Sequence, residues 1–372
     1  MPAINIRGMT FDVARAALRA GLKHQCGAII FEIARSEIGY TEQRPAEYSA
    51  AITAAAIREG FQGPLFIQGD HFQINAKRYA RDAESEVRAV KDLIQEAIEA
   101  RFLNIDIDTS TLVDLSHPTI REQQTLNYEL AADLTAFVRH LEPKGVTVSV
   151  GGEIGEVGKK NSTVEEMEAY MDGYLEELGR RGEALKGISK ISVQTGTSHG
   201  GVPLADGSIA EVKVDFDVLQ QISKVAREKY GLSGAVQHGA STLPEGAFDR
   251  FPQVETAEIH LATGFQNQIY DHPAFPADLR QAVRDHCFEA HGDERGEGQT
   301  DEQFLYKTRK KAFGPFKRQM WDLPASVRES IGGALEERFG FLYQKLGVVG
   351  SQEIIARHFE RRELHSPRPS GL

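Results

Sequence analysis

Short apolar runs alternate along this chain with stretches whose apolar positions recur every three or four residues. The first run, Pro2 to Ile6, precedes a helix-period segment over Phe11 to Leu22. Ala28 to Phe31 precedes a helix near Ala46 to Arg58, and Pro64 to Ile67 precedes a long one, Ala76 to Ala100. Phe102 to Ile107 leads to Ile120 to His140, and Val146 to Val150 leads through a Gly-rich loop to Val164 to Leu178. Ile188 to Val193 leads to Val218 to Lys229, Gly234 to Val236 to a short helix after Pro244, and Thr256 to Leu261 to Pro276 to Ala290. The pattern predicts eight β-then-α units. Strands alternating with helices form a parallel sheet with helices outside it. The runs read as apolar on both faces, as in covered parallel sheets. Eight units in about 290 residues is the size of a (β/α)8 TIM barrel. A doubly wound open sheet is the competing α/β arrangement, and the count of eight favours the barrel.

The pattern changes after residue 291. His291 to Thr300 is polar and Gly-rich, and Asp301 to Phe359 is charged and helical. We therefore divide the chain into a barrel, 1–291, and a linker with a helical C-terminal extension, 292–372. The extension carries Lys307, Arg309, Lys310, Lys311, Lys317 and Arg318. These read as a solvated helical face, with a phosphate- or acid-binding patch as the alternative. Phe313, Phe316 and Trp321 are expected to pack the extension on the barrel or on a second subunit, and a homodimer or higher homo-oligomer is the expected assembly.

Composition narrows the classes. The net charge of −11 over 372 residues argues against a general nucleic-acid binder. No stretch approaches the roughly 20 apolar residues of a membrane span, and the N-terminus lacks an apolar signal core. Cys26 and Cys287 have no metal-ligand spacing and suit a reducing compartment. A cytoplasmic protein is the expectation.

The chemistry lies where strands end. In a barrel, functional groups gather at the C-terminal ends of the strands. Asp70 and His71 follow the third strand, Asp106 and Asp108 end the fourth, and Glu153 follows the fifth. His199, His238 and His260 belong to the sixth, seventh and eighth. A lone histidine is more often structural, but three at equivalent strand ends make a metal-ligand set. Neutral imidazoles suit zinc, whose catalytic sites keep three protein ligands and an open position. His71, His199 and His238 are the expected ligands, with Glu153 either a fourth ligand or a helix cap. Beside them, Gly200, Gly201, Gly239, Ala240, Ser241 and Thr263 form a glycine-rich corner. Consecutive N–H groups there suit an anion, and loops after strands seven and eight often hold phosphate in this fold.

These residues carry a resemblance. Ala3-Ile4-Asn5-Ile6, Gly69-Asp70-His71, Ile107-Asp108-Thr109-Ser110, Glu153-Ile154-Gly155, Gly196-Thr197-Ser198-His199-Gly200 and His238-Gly239-Ala240-Ser241 occur in order after the expected strands. In this the chain resembles the class II, metal-dependent ketose-bisphosphate aldolases of the fructose- and tagatose-bisphosphate type. The resemblance implies one zinc ion per chain at His71, His199 and His238 with Glu153 nearby, and a monovalent cation as a further candidate. It implies Asp70 as the acid–base group. It implies a phosphorylated ketose held by Gly200, Gly239, Ser241 and the loop after the eighth strand, with Asn5, Asp108, Ser110 and His260 in the substrate site.

The chain also departs from that family. Lys160-Asn161 stands where the family carries Glu-Asp, with Glu156, Glu165 and Glu166 as nearby acids. His260-Leu261-Ala262-Thr263-Gly264 replaces Asn-Ile-Asp-Thr-Asp. The usual serine after the second strand falls at Ala34, with Ser36 as a shifted candidate. The expected activity is metal-dependent aldol cleavage of a phosphorylated ketose. The alternatives are an accessory sugar-phosphate-binding subunit on the same barrel and a metal hydrolase, whose usual HxH pair is missing after the first strand.

Overall fold

The computed structural model describes residues 1–155, 160–196, 204 and 213–360. The eight apolar runs become β1 Pro2–Asn5, β2 Ile29–Ala34, β3 Leu65–Gln73, β4 Asn104–Asp108, β5 Ser149–Glu153, β6 Lys190–Val193, β7 Ala235–Gln237 and β8 Glu258–Leu261. Each pairs with the next in parallel, and β8 pairs with β1, closing the barrel. The expected (β/α)8 architecture is therefore present.

The two faces of these strands differ, contrary to the all-apolar reading. In β2, Ile29, Phe31 and Ile33 alternate with Ile30, Glu32 and Ala34, and all six are buried. Side chains alternate across a strand, so one set meets the helices and the other the barrel axis. The outer set builds the core with helix residues such as Val13, Leu18, Ile52, Ile94 and Leu134. Each such side chain contributes about 1.5–3 kcal/mol on burial. The axial set is polar: Glu32, Gln68, Asn104, Asp106, Lys190 and His260 are all buried. Few polar residues per strand suffice for this, so the runs still look apolar in sequence.

Several boundaries moved for identifiable reasons. Gly151 and Gly152, expected in a loop, lie inside β5. A Cβ on Gly151 would stand 2.3 Å from Asp106 Oδ1, and one on Gly152 would stand 2.7 Å from the Tyr170 hydroxyl. These glycines are packing residues of a strand rather than turn residues. The expected helix Ala76–Ala100 is two helices, Ala76–Arg81 and Ala83–Glu99, because extended Asp82 caps the second through the Ser85 N–H. The segment Ile120–His140 likewise splits into Ile120–Gln123 and Thr125–Leu141.

β3 runs through Asp70 and His71 instead of stopping before them. A bulge interrupts its pairing with β4 between Gly69 and Phe72, and His71 has φ 40°. Consecutive residues of a regular strand point to opposite faces. The bulge with its left-handed residue re-aims one of them, and both Asp70 and His71 line the barrel mouth.

An unexpected helix, Thr263–Tyr270, follows β8 directly. The expected Pro276–Ala290 helix forms as Ala277–His291 but lies against the segments Asp301–Thr308 and Arg309–Phe313. Helix Ala325–Lys345 instead packs between Thr10–Lys23 and Thr263–Tyr270. Tyr343 donates to the Ala17 carbonyl at 3.1 Å, Arg19 pairs with Glu336 at 2.6 Å, and the Phe339 and Phe265 rings lie 4.7 Å apart. Phe304 and Phe313 are buried in the same core as the barrel helices, whereas Trp321 stays 38% exposed.

Candidate active site

The C-terminal ends of the strands surround a cavity of about 820 Å³. Asn5, Asp70, His71, Asp108, Ser110, Glu153, His238, Gly239, Ser241, His260 and Thr263 all line it. Ala240 is fully buried just behind. His199, Gly200 and Gly201 lie outside the described residues. The strand-end reading thus assembled widely separated residues into one pocket.

Two imidazoles and a carboxylate converge at its floor. The rings of His71 and His238 have centroids 4.2 Å apart. His71 Nδ1 lies 3.1 Å from Asp108 Oδ2, and Asp108 is itself fixed by Gln73 and by the Ser110 hydroxyl at 2.7 Å. His238 Nε2 lies 3.0 Å from the Ser192 hydroxyl. These contacts orient the rings, and the opposite nitrogens, His71 Nε2 and His238 Nδ1, each stand 3.9 Å from Asp70 Oδ1. Asp70 Oδ1 is buried and makes no well-aligned hydrogen bond among the described residues, its nearest ring nitrogen being His260 Nδ1 at 3.3 Å. Glu153 Oε2 is 3.6 Å from His238 and 3.9 Å from His71, while its Oε1 accepts from the Gly155 N–H at 2.7 Å.

This donor set fits a divalent metal. Ligand atoms of Asp70, His71 and His238 lie within 4.8 Å of one another. A histidine whose second nitrogen is held by a carboxylate is a recurrent ligand arrangement. A buried carboxylate oxygen whose hydrogen bonding is incomplete favours a nearby cation. Burial by itself raises the Asp70 carboxyl, but His71, His260 and His238 outweigh it and hold Asp70 well below the usual carboxylate range. Burial opposes protonation of His71, yet Asp70, Asp108 and Glu153 raise its pKa well above the ordinary value.

His260 sits deeper than a simple substrate contact. Its ring is 4.2 Å from that of His238. Nδ1 lies 2.9 Å from Glu32 and 3.3 Å from Asp70, and Nε2 lies 3.3 Å from Glu258. Lys190 Nζ completes this axial network, 2.6 Å from Glu258, 3.0 Å from Asp106 and 2.7 Å from Gln68. Burial pushes the Glu32 carboxyl up to about 7, against the pull of His260. Sequence reading missed Glu32, Lys190 and Glu258. The available signal was a single charge inside each buried run, as in Ile30-Phe31-Glu32-Ile33.

Asn5 donates to Glu37 at 2.7 Å and to Asp70 at 3.5 Å. Arg7, also missed, pairs with Glu37 at 2.7 Å and donates to Thr263 at 3.3 Å and Gln266 at 2.8 Å. It ties the β1 end to the helix after β8. Ser36, the shifted candidate, does line the cavity. Lys160 instead pairs with Glu166 at 2.8 Å, and Asn161 reaches Asp215 at 3.2 Å. Glu166 caps helix Val164–Arg181 with Thr163, Glu165 lies in the same first turn, and neither lines the cavity. Glu156 lies outside the described residues.

No curated protein sequence matches the chain. Solved structures of similar fold include a probable tagatose 6 phosphate kinase from Sinorhizobium meliloti, with TM-score 0.65, 15% identity, and 96% and 98% of the two chains covered. The YdjI aldolase from Escherichia coli gives TM-score 0.55 at 13% identity, covering 95% of this chain and 93% of that one. The native fructuronate-tagaturonate epimerase UxaE from Cohnella laeviribosi gives 0.64 at 13% identity, covering 93% of this chain and 81% of its own. At these identities the structures speak to the fold. The family match is more specific: residues 1–321 match Fructose-bisphosphate aldolase class-II, and the chain belongs to that family.

Proposed function

We propose that this protein catalyses metal-dependent aldol cleavage and condensation of a phosphorylated ketose. The observation that carries this reading is that His71 Nε2 and His238 Nδ1 face one point of a strand-end cavity with the Asp70 carboxylate beside them. The proposed ligands are His71 and His238, with His199, and Glu153 is a movable ligand because it stands on the other ring nitrogens of His71 and His238; the proposed metal is zinc. A divalent ion held there supplies Lewis-acid polarisation of a ketose oxygen. Asp70 takes the proton from the C4 hydroxyl; the O–H electron pair forms the aldehyde C=O, and the C3–C4 bond breaks. The pair left at C3 delocalises onto the C2 carbonyl, and a proton then returns to C3 to give the ketose-end product. Asn5 and His260 hold Asp70 in place, and its depressed pKa keeps it ionised before proton transfer. Gly239, Ser241 and Thr263, with Gly200 and Gly201, receive the phosphate. Asp108 orients His71, and Ser110 orients Asp108.

The absence of Glu165 and Glu166 from the cavity favours a second reading, an accessory sugar-phosphate-binding subunit without turnover. Metal analysis followed by kcat/KM for fructose 1,6-bisphosphate, tagatose 1,6-bisphosphate and unphosphorylated fructose separates the two. Bound metal with release of triose phosphate supports the lyase. Tight sugar-phosphate binding without product supports the accessory subunit. Best cleavage of the unphosphorylated sugar rules out the phosphate corner. Recombination on the other aldehyde face inverts C4, so recovered ketose is also analysed for epimers.

We further infer a cytoplasmic homo-oligomer. Both cysteines are buried free thiols, which suits a reducing compartment, and no helix among the described residues is long and apolar enough to cross a membrane. Trp321 remains available at the surface for a subunit contact. Light scattering that finds a monomer at micromolar concentration overturns the oligomer.

A further inference from the structure

Among the described residues that line the cavity, Lys310 and Arg78 carry positive charge with no ion pair, and Lys310 is the one set beside Arg7. Lys310 lines the same cavity as Arg7 and Thr263, near Arg7 and with its Nζ 5.9 Å from the Tyr40 ring centroid. The other basic residues around it are matched: Arg309 by Asp271, Lys311 by Glu294 and Lys317 by Glu47. Across the cavity mouth, Arg35 is engaged by Glu86 and by the Gln73 carbonyl. Arg7 is satisfied by Glu37. Lys310 makes no ion pair or hydrogen bond among the described residues. Burial and the nearby Arg7 guanidinium pull its ammonium below the ordinary lysine value. Glu37 and Glu294 offset this in part but pair with Arg7 and Lys311, so the two cations facing the pocket favour a bound anion.

The segment that carries Lys310 is held in place. The Phe313 ring lies where a Cβ on Gly8 would have to stand, and a Cβ on Gly314 would be 2.5 Å from the Tyr40 carbonyl oxygen. Residues 309–314 are therefore wedged between the ends of β1 and the helix after β2, which fixes the backbone of Lys310 at the cavity edge. Arg7 and Thr263, 3.3 Å apart, continue this wall to the corner after β8. Among its described residues, Gly239, Ala240, Ser241 and Thr263, that corner offers N–H and hydroxyl donors and no charged side chain.

We propose that Lys310, with Arg7 and Thr263, forms a charged wall that holds an oxyanion of the ligand, either a sugar phosphate or a sugar carboxylate. This rests on reading the cavity as the substrate site, and makes residues 309–314 part of that site. The test is isothermal titration of the full-length protein, at constant ionic strength, with inorganic phosphate, with gluconate and with neutral glucitol. At least one anion is expected to bind, to weaken about tenfold in Lys310→Met, as for loss of a charge-assisted hydrogen bond, and to recover in Lys310→Arg. Loss confined to phosphate identifies a phosphoryl group; loss confined to gluconate identifies a carboxylate. Glucitol affinity and melting temperature are expected to stay unchanged. Failure of both anions to bind the wild type, or equal anion affinity in Lys310→Met, overturns the proposal. Binding is read without turnover. Lys310-dependent binding in a protein that cleaves no ketose sinks the aldolase reading alone, and cleavage with unchanged KM in Lys310→Met sinks this inference alone.

Discussion

His260 Nδ1 lies 3.3 Å from Asp70 Oδ1, linking the last strand of the barrel to the acid beside the first expected metal ligand. The contact joins the strand-end cavity to a charged axial network of Glu32, Glu258, Lys190 and Asp106. The reacting end and the interior of the barrel are therefore one electrostatic unit, and substitutions in either are expected to be felt in the other.

Metal binding is the first consequence to check. Purified protein is expected to hold about one divalent ion per chain, as a catalytic site with three protein ligands does. His238→Ala is expected to lose most of it while circular dichroism stays native, because His238 lies just beyond β7 and carries little of the apolar core. Equal metal content in the variant and the wild type, measured by atomic emission, would remove His238 from the ligand set.

Asp70→Asn keeps the shape of the side chain and removes its basicity. Turnover of the cleaved ketose is expected to fall by about 10²–10⁴, the usual contribution of a general acid–base group. KM is expected to move much less. Unchanged kcat in steady-state assays excludes Asp70 from proton transfer.

Gly264 opens onto the corner after β8. A Cβ there would stand 2.9 Å from the Ser241 carbonyl oxygen. Overpacking of this kind costs about 1–3 kcal/mol, so Gly264→Ala is expected to displace Ser241 and raise KM for a phosphorylated ketose. An unchanged KM would show that Ser241 does not contact the phosphate.

Acid stability depends on the axial pair Glu258 and Lys190. Burial raises the Glu258 carboxyl, but Lys190 and His260 outweigh it, and its folded pKa lies below the unfolded value of about 4.3. The folded state therefore binds this proton less tightly than the unfolded state, and stability rises with pH across that window. The contribution is fully present above the unfolded pKa and is lost as pH falls through the folded one. Glu258→Gln is expected to cost about 3–5 kcal/mol at pH 7, as for one half of a buried pair. Its stability is also expected to fall less steeply than wild type below about pH 5. Urea melts from pH 7 to pH 3 that run parallel for the two proteins would refute this role.

The sequence by itself determined the architecture and pointed to the strand ends that line the cavity. Eight apolar runs separated by helix-period segments leave a parallel sheet covered by helices, and a barrel brings strand ends such as His71, His238 and Thr263 together whatever their separation in the chain. Which acids work on which histidines was decided only in three dimensions. Asp70 and His71 share one face because a bulge breaks the two-residue alternation of β3, and no periodicity announces that. Glu32, Lys190 and Glu258 pair across the barrel axis from strands far apart in sequence, so each looked like a stray charge in an apolar run. Lys310 belongs to the cavity because Gly8 and Gly314 let its segment pack against the barrel mouth. Local pattern encodes the alternation of elements, while long-range contacts between axial side chains depend on strand register and closure, which only the folded barrel defines.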